Sequence, residues 1–246
     1  MSEKLETVVG RIPVLECLKA GVRKAHTLYC RASAKGLDEI LEQARRRSVP
    51  VRDADRDQLE NLAQGVVHQG VVLKAGRLPV RKLENWLDGE ISSDAVILIL
   101  DGIEDPHNFG AIVRSAAACG ASAVIFGKDR AAPLSAAACK AAAGAMEYVT
   151  LIQVTNVARS IQQLQKGGFW IAALDAQAPQ TLWQANLDGR IALVVGSEGA
   201  GIRPLVQKRC DLQIRIPLEG AITSLNASVS ASIVLAECLR RRQSNV

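Results

Sequence analysis

The stretch Val96-Ile-Leu-Ile-Leu-Asp101-Gly-Ile-Glu-Asp105-Pro-His-Asn108-Phe-Gly-Ala-Ile-Val-Arg114 decides how this chain is read. Val96 to Leu100 is an unbroken apolar run, which predicts a strand. Asp105-Pro106 then marks a turn, Asn108 stands where a helix cap is wanted, and Arg114 falls two turns later in a helix running to Cys119. The same strand-then-helix rhythm continues downstream. Strands are predicted at Ala123 to Phe126, Val149 to Ile152, Trp170 to Leu174, Ile191 to Val195 and Leu212 to Ile216. Helices are predicted at Leu134 to Ala143, Val157 to Gln165 and Ile202 to Lys208, with a long closing helix from Ser224 to about Arg242. Alternation of this kind argues for an α/β fold with a mainly parallel sheet covered by helices.

Upstream, residues 7 to 73 read as a smaller α/β unit. Helices are predicted at Ile12 to Lys19, Leu37 to Arg47 and Gln58 to Leu62, and strands at Thr27 to Cys30, Val49 to Arg52 and Gly70 to Leu73. Residues 74 to 95 change character, with Gly76, Pro79, a basic Arg77/Arg81/Lys82 cluster and a polar stretch around one short helix near Trp86. The expected organisation is therefore a domain over 1–75, a linker over 76–95 and a second domain over 96–246.

The chain has 246 residues, 48% of them hydrophobic, which is enough for a sizeable core. Its most apolar runs fall far below the roughly 20 residues that cross a bilayer, so no membrane segment is expected. Met1 to Thr7 carries Glu3, Lys4 and Glu6 and no apolar export signal, which makes the cytoplasm the expected location. Six cysteines form no C-x-x-C pair and sit mostly in apolar patterns, as buried thiols do. The three histidines are equally scattered, so no metal site is expected. A net charge of +5, spread over both parts, permits a polyanionic partner without requiring one.

Ligands of open α/β sheets bind at the carboxyl ends of the strands, and three loops there stand out. The first carries Asn108 and Arg114; alone, it describes a well-capped helix with a surface arginine. The second is Gly196-Ser-Glu-Gly-Ala-Gly201, whose glycines let backbone amides face a ligand although the order is not G-x-G-x-x-G. In the third, Ile216-Pro-Leu-Glu-Gly-Ala-Ile-Thr-Ser-Leu-Asn226, the residues Thr223, Ser224, Asn226 and Ser228 crowd a helix start that needs one cap. Together the loops describe a site that binds through backbone amides and positions a polar group. No Ser/His/Asp order, metal cluster or Walker signature accompanies them.

D-P-x-N-x-G-A-x-x-R (Asp105 to Arg114), G-x-E-G-x-G (Gly196 to Gly201) and I-P-x-x-G-x-x-x-S-L-N-x-S-V (Ile216 to Val229) resemble, in order and spacing, the three motifs of the SpoU (TrmH) family of RNA ribose 2′-O-methyltransferases, within the SPOUT superfamily. Gly10-Arg-Ile-Pro-Val-Leu-Glu-Cys-Leu18 and Val67-His-Gln-Gly-Val71 resemble the start and end of that family's small RNA-binding domain, similar to ribosomal protein L30e. Within the family, the resemblance is greatest to members that methylate a guanosine of bacterial 23S rRNA.

The resemblance implies a catalytic domain with a deep trefoil knot, S-adenosylmethionine as cofactor, and a homodimer with its active site at the subunit interface, buried through Ala-rich and final-helix surfaces. It places cofactor contacts on Gly196, Ile216 and Leu225 with Ser224 adjoining, and the catalytic and structural polar residues on Asn108, Arg114, Glu198 and Asn226. A guanidinium with a pKa above roughly 12 is a poor proton acceptor, so Arg114 is expected to hold the target phosphate or stabilise a developing alkoxide. His107 is a base by type, and a turn histidine by position. Glu198 has two readings, a carboxylate capping the loop amides and a direct catalytic role. A side chain at Gly196 is expected to fill space where backbone meets ligand. Phosphate contacts are expected from Arg23, Lys24, Arg31 and Lys35; the arginine runs 45–47 and 240–242 read as solvated helix ends, with contact to an RNA phosphate as the alternative. The rivals are a tRNA ribose methyltransferase of the same family and a non-catalytic RNA binder.

Overall fold

The computed structural model describes residues 5–129, 131–132 and 134–244; Glu3 and Lys4 of the polar start lie outside them. The larger sheet is built from β5 (Val80–Arg81), β6 (Val96–Asp101), β7 (Ala123–Gly127), β8 (Thr150–Val154), β9 (Trp170–Leu174), β10 (Gln180–Thr181), β11 (Ile191–Gly196) and β12 (Leu212–Arg215). Its spatial order is β10-β12-β9-β11-β6-β7-β8-β5, and every pairing is parallel. Between the strands run α4 (Leu83–Leu87), α5 (Pro106–Ala118), α6 (Ala136–Ala141), α7 (Val157–Lys166) and α8 (Pro204–Gln207), and α9 (Ala227–Ser244) closes the chain.

All six residues of β6 are buried, and the pleat sends them alternately into two cores. Val96, Leu98 and Leu100 join Phe109 and Ile112 of α5 and Val234 of α9 on one face. Ile97 and Ile99 join Trp86 of α4 and Ile161 of α7 on the other. Cover on both faces is why this strand shows no polar alternation. Sheet order extends one way from β6 through β7 to β8, then resumes at β9 on the far side. The order therefore reverses between β6 and β11, and such a switch point leaves a crevice beyond the carboxyl ends of its two strands.

Residues 76–95, expected as a linker, are not a free connector. Val80–Arg81 pairs with β8 at the sheet edge, and α4 buries Leu83 and Trp86 against the sheet. A two-residue strand leaves no periodicity to read. The final helix starts at Ala227 rather than Ser224, so Thr223 and Ser224 belong to the loop. Asp105, not Asn108, caps α5: its carboxylate accepts from the backbone N–H groups of His107 and Asn108 at 3.1 and 3.3 Å, ahead of Pro106 in the first turn.

The Ala-rich helices α5 and α6 pack on each other within the chain. A Cβ built on Gly110 of α5 would lie 2.5 to 2.8 Å from Ala138 O and Ala141 Cβ of α6 and from the N of Ala142, which ends that helix. Gly110→Ala is thus expected to lower unfolding free energy by about 1–3 kcal/mol, through overpacking rather than helix propensity. Denaturant titration checks this, because propensity alone would make alanine the more stable residue.

The arginines of the tail hold the fold together. Glu237 of α9 accepts from Arg240 and Arg241, Arg241 also donates to the carbonyls of Ala185, Leu182 and Trp183, and Arg242 donates to that of Cys119. Hydrogen bonding from Arg240, opposed by burial and reinforced by Arg241, holds the Glu237 carboxyl down from 4.5 to about 2. A depressed carboxyl contributes stability above its unfolded pKa and loses it as pH falls through the folded one. Glu237→Gln should therefore melt lower than the wild type at neutral pH, and thermal scans should show the gap shrinking between pH 4.5 and 2.

The smaller sheet, ordered β1-β4-β2-β3, contains β1 (Glu6–Val9), β2 (Ala25–Cys30), β3 (Val51–Asp53) and β4 (Val71–Ala75). It is flanked by α1 (Arg11–Ala20), α2 (Asp38–Arg46) and α3 (Arg56–Ala63), around a core that includes Val8, Leu18, Leu28, Ile40 and Leu73. The phosphate contact expected of Arg23 is overturned, because its charge is not offered to the surface. It is buried and paired with Glu147 and Glu6. Lys24, Arg31 and Lys35 are exposed.

Candidate active site

At the end of β11 the chain folds into a tight ring from Gly196 to Arg203. Ser197 and Gly201 exchange two backbone hydrogen bonds, 3.2 and 2.9 Å long. A Cβ on Gly196 would sit 2.2 to 2.4 Å from the backbone of Gly201 and Ile202, so only glycine lets the ring close. This corrects the expected reason for Gly196. The space beside it is filled by the protein's own loop, not kept for a ligand.

Asp101 fixes both ends of the ring. It is in register with Gly196 across the β6–β11 pairing. Its side chain, wholly buried, accepts from the backbone N–H of Arg203 and from Arg203 Nε, both at 2.8 Å, and also pairs with Arg203 Nη2. Reading the sequence missed this residue, although an acid closing an apolar strand at a switch point is itself a signal.

Beside the ring opens a cavity of about 380 Å³, and the four residues expected to hold a cofactor, Gly196, Ile216, Ser224 and Leu225, all line it. A second cavity of about 320 Å³ shares Ser197, Glu198 and Ala227 with the first and is lined also by Asp105 and Asn108. Both stand beyond the carboxyl ends of β6 and β11.

Three of the four predicted polar residues meet at this junction. Asn108 Nδ2 donates to Glu198 Oε1 at 2.9 Å, Asn226 Nδ2 donates to Asn108 Oδ1 at 3.0 Å and also to Glu198 Oε1, and the Ala227 N–H reaches the same carboxylate oxygen at 3.4 Å. Asn226 does double duty. Its Oδ1 accepts from the backbone N–H groups of Ser228 and Val229 at 2.9 and 3.3 Å, the geometry of a cap on α9. Strand-end loops separated by up to 118 residues are thereby tied into one polar knot around Glu198.

Arg114 is not brought to this group. It is exposed, lines neither cavity and has no hydrogen bond or ion pair among the described residues. Six residues beyond Asn108, at about 100° per residue, it is turned about 120° away from the Asn108 face of α5. His107 is exposed as well and lines neither cavity. None of the thiols is activated: burial pushes Cys17 and Cys210 up to about 12 and Cys238 to about 11, and raises Cys30, Cys119 and Cys139 too.

A parallel sheet whose switch-point loops build a glycine-lined cavity is the architecture of a nucleotide- or cofactor-binding α/β protein. The comparisons narrow the class. Residues 95–236 match the SpoU rRNA Methylase family, and residues 7–80 match the RNA 2′-O ribose methyltransferase substrate binding domain. The chain belongs to the SpoU methylase family. It is 39% identical to the 23S rRNA (guanosine-2′-O-)-methyltransferase RlmB of Xanthomonas campestris pv. campestris, over 98% of this chain and 99% of that one. To RlmB of Escherichia coli strain K12 it is 44% identical, over 85% of this chain and 86% of that one. The crystal structure of the SpoU methyltransferase AviRb from Streptomyces viridochromogenes, in complex with AdoMet, shares the fold with a TM-score of 0.83 at 22% identity, covering 98% of this chain and 91% of that one.

Proposed function

We propose that this protein transfers a methyl group from S-adenosylmethionine to the ribose 2′-oxygen of a guanosine in 23S rRNA. The observation that carries the reading is the convergence of Asn108, Glu198 and Asn226 at the junction of two cavities, in a chain related along nearly its whole length to proteins with that activity.

The larger cavity fits the cofactor by the chemistry of its walls. Ile216, Leu218 and Leu225 offer an apolar flank to a purine, and the backbone of 196–201 with the Ser224 hydroxyl offers hydrogen-bonding groups. Gly199 and Gly201 leave open space where a side chain would project. When bound, S-adenosylmethionine supplies a methyl group on a positively charged sulfur. Placement is the protein's contribution: an in-line approach of the hydroxyl, fixed in advance, removes several kcal/mol from the barrier. Glu198, satisfied by three donors, holds the ring against the starts of α5 and α9. Arg114 steadies negative charge on the RNA side, at the target phosphate or the developing alkoxide.

Since Arg114 is turned away from its own chain's cavity, we infer a homodimer in which each copy's Arg114 completes the site of the other. Ile222 and Val229, 70% and 45% exposed on either side of the Ser224–Asn226 segment, supply apolar surface for that contact. The knot belongs to the same reading. β11 and β12 lie on opposite sides of β9, and α9 then returns to pack on α5, an arrangement that supports a deep trefoil threading. The smaller unit, about residues 1–75, is assigned as an L30e-like module that grips the RNA, and residues 96–246 as the transferase. Among the described residues no helix is long and apolar enough to cross a membrane, and the reaction is placed in the cytoplasm, where free thiols persist.

Asp101→Asn is expected to weaken S-adenosylmethionine binding about tenfold, because a buried charge-assisted contact to Arg203 is lost and the ring is released. Calorimetry checks it. The function itself is tested with purified protein, methyl-labelled S-adenosylmethionine and either 23S rRNA or tRNA, followed by nucleoside analysis. Labelled 2′-O-methylguanosine from 23S rRNA is the expected product. Label in tRNA alone would favour the tRNA enzyme, and absence of cofactor binding would mark a non-catalytic RNA binder.

A further inference from the structure

The two sheets are joined through a buried ion pair that the transfer chemistry does not use. Arg23 Nε and Nη2 donate to Glu147 Oε1 at 2.9 and 2.6 Å, and Arg23 Nη1 reaches Glu6 Oε2 at 3.2 Å. The side chains of Arg23 and Glu147 are 3% and 2% exposed. Arg23 precedes β2 in the smaller unit; Glu147 lies in the turn after α6 in the larger. Removing both charges from water costs several kcal/mol per ion, so an apolar pair of similar size would be at least as stabilising. What the ion pair adds is geometry, since a guanidinium fork is satisfied in few relative orientations.

Independent contacts surround it. Gly144, at φ +83°, sits so close to α1 that a Cβ there would lie 2.4 Å from Glu16 Cβ. Tyr148 Oη donates to Glu16 Oε2 at 2.6 Å, and Lys140 Nζ donates to the Val67 carbonyl. Ala136, at the start of α6, packs into the apolar cluster of Val9, Leu59 and Val72 in the smaller unit. Residues 136–148 thus belong to both units at once. On its other side α6 meets Gly110 of α5, the helix that carries Asn108 and Arg114.

We propose that Arg23 and Glu147 form a registration lock, which holds the RNA-gripping unit at one orientation to α5 and so determines which nucleotide reaches the cavity. The inference rests on the assignment of the smaller unit to RNA. A loosely tethered unit would raise the local concentration of RNA but leave many riboses within reach. A docked one selects by distance, as a ruler does.

Two single variants test it, Glu147→Gln, which keeps shape, and Arg23→Met, which keeps apolar bulk; Arg23→Lys is the conservative control. Each full-length protein is examined by small-angle scattering, by S-adenosylmethionine calorimetry and by ribose-methylation mapping along 23S rRNA. For both variants the lock requires a larger scattering radius, cofactor affinity within about twofold of wild type, and a rate at the wild-type guanosine lowered about tenfold or more, with methylation spreading to other riboses. Arg23→Lys should recover part of the selectivity. Compact scattering, or wild-type rate and selectivity in a folded variant, would overturn it. Failure of the wild type to methylate rRNA would instead count against the proposed function, and the scattering would still judge the lock.

Discussion

Replacing Arg114 with alanine is expected to lower turnover by about 10²–10³ while leaving S-adenosylmethionine affinity within about twofold. The side chain is exposed and makes no hydrogen bond or ion pair among the described residues, so unfolding should shift by no more than about 0.5 kcal/mol. Loss of rate without loss of stability or cofactor binding would identify a group that acts on the RNA. A mixing experiment then locates it. Arg114→Ala and Asn226→Asp chains, each inactive as homodimers, are co-expressed. In a mixed dimer the Asn226→Asp chain supplies Arg114 to the intact cavity of the other. About half the dimers are mixed with one complete site in two, so about a quarter of wild-type activity should return. Activity no higher than either parent would place Arg114 in the cavity of its own chain.

The second large effect is expected at Asn226, whose two jobs two substitutions separate. Asn226→Ala removes both the cap on α9 and the amide that donates to Glu198, and should cost about 1 kcal/mol of stability as well as activity. Asn226→Asp keeps an oxygen for the Ser228 and Val229 amides but sets a second carboxylate against Glu198. Stability should stay close to wild type while activity falls by about 10², since two like charges at hydrogen-bonding distance cannot both be accommodated without moving the loop. Thermal melts and single-turnover rates measure the two separately. Equal stability losses in the two variants would mean that capping is not what the side chain contributes to folding.

The difference between what could and could not be read from the sequence follows the range of the interactions. Trp170–Leu174 was legible to the residue, because a buried parallel strand announces itself by composition alone. The three strand-end loops were legible through glycines set beside more polar residues than their turns and caps require, and Asn108, Glu198 and Asn226 of those loops meet in the structure while Arg114 does not. Asn108 was misplaced as a cap because Asp105 and Asn108 are both good capping residues; only the fold shows that the Asn108 amide is needed by Glu198, 90 residues away. The partnerships of Asp101 with Arg203 and of Arg23 with Glu147 were hidden for the same reason. Their partners lie 102 and 124 residues apart, and a charge destined for a buried pair looks in sequence like any surface charge. The two-residue strands β5 and β10 owe their existence to the neighbours they pair with, not to their own residues.

Ribose-methylation mapping of 23S rRNA, from cells with the gene deleted and then restored, bears most directly on the function proposed for this protein. One guanosine should lose its 2′-O-methyl group on deletion, regain it with the wild-type gene, and fail to regain it with the Arg114→Ala form. A map unchanged by the deletion, or one fully restored by Arg114→Ala, would contradict the assignment of this chain and its arginine to that reaction.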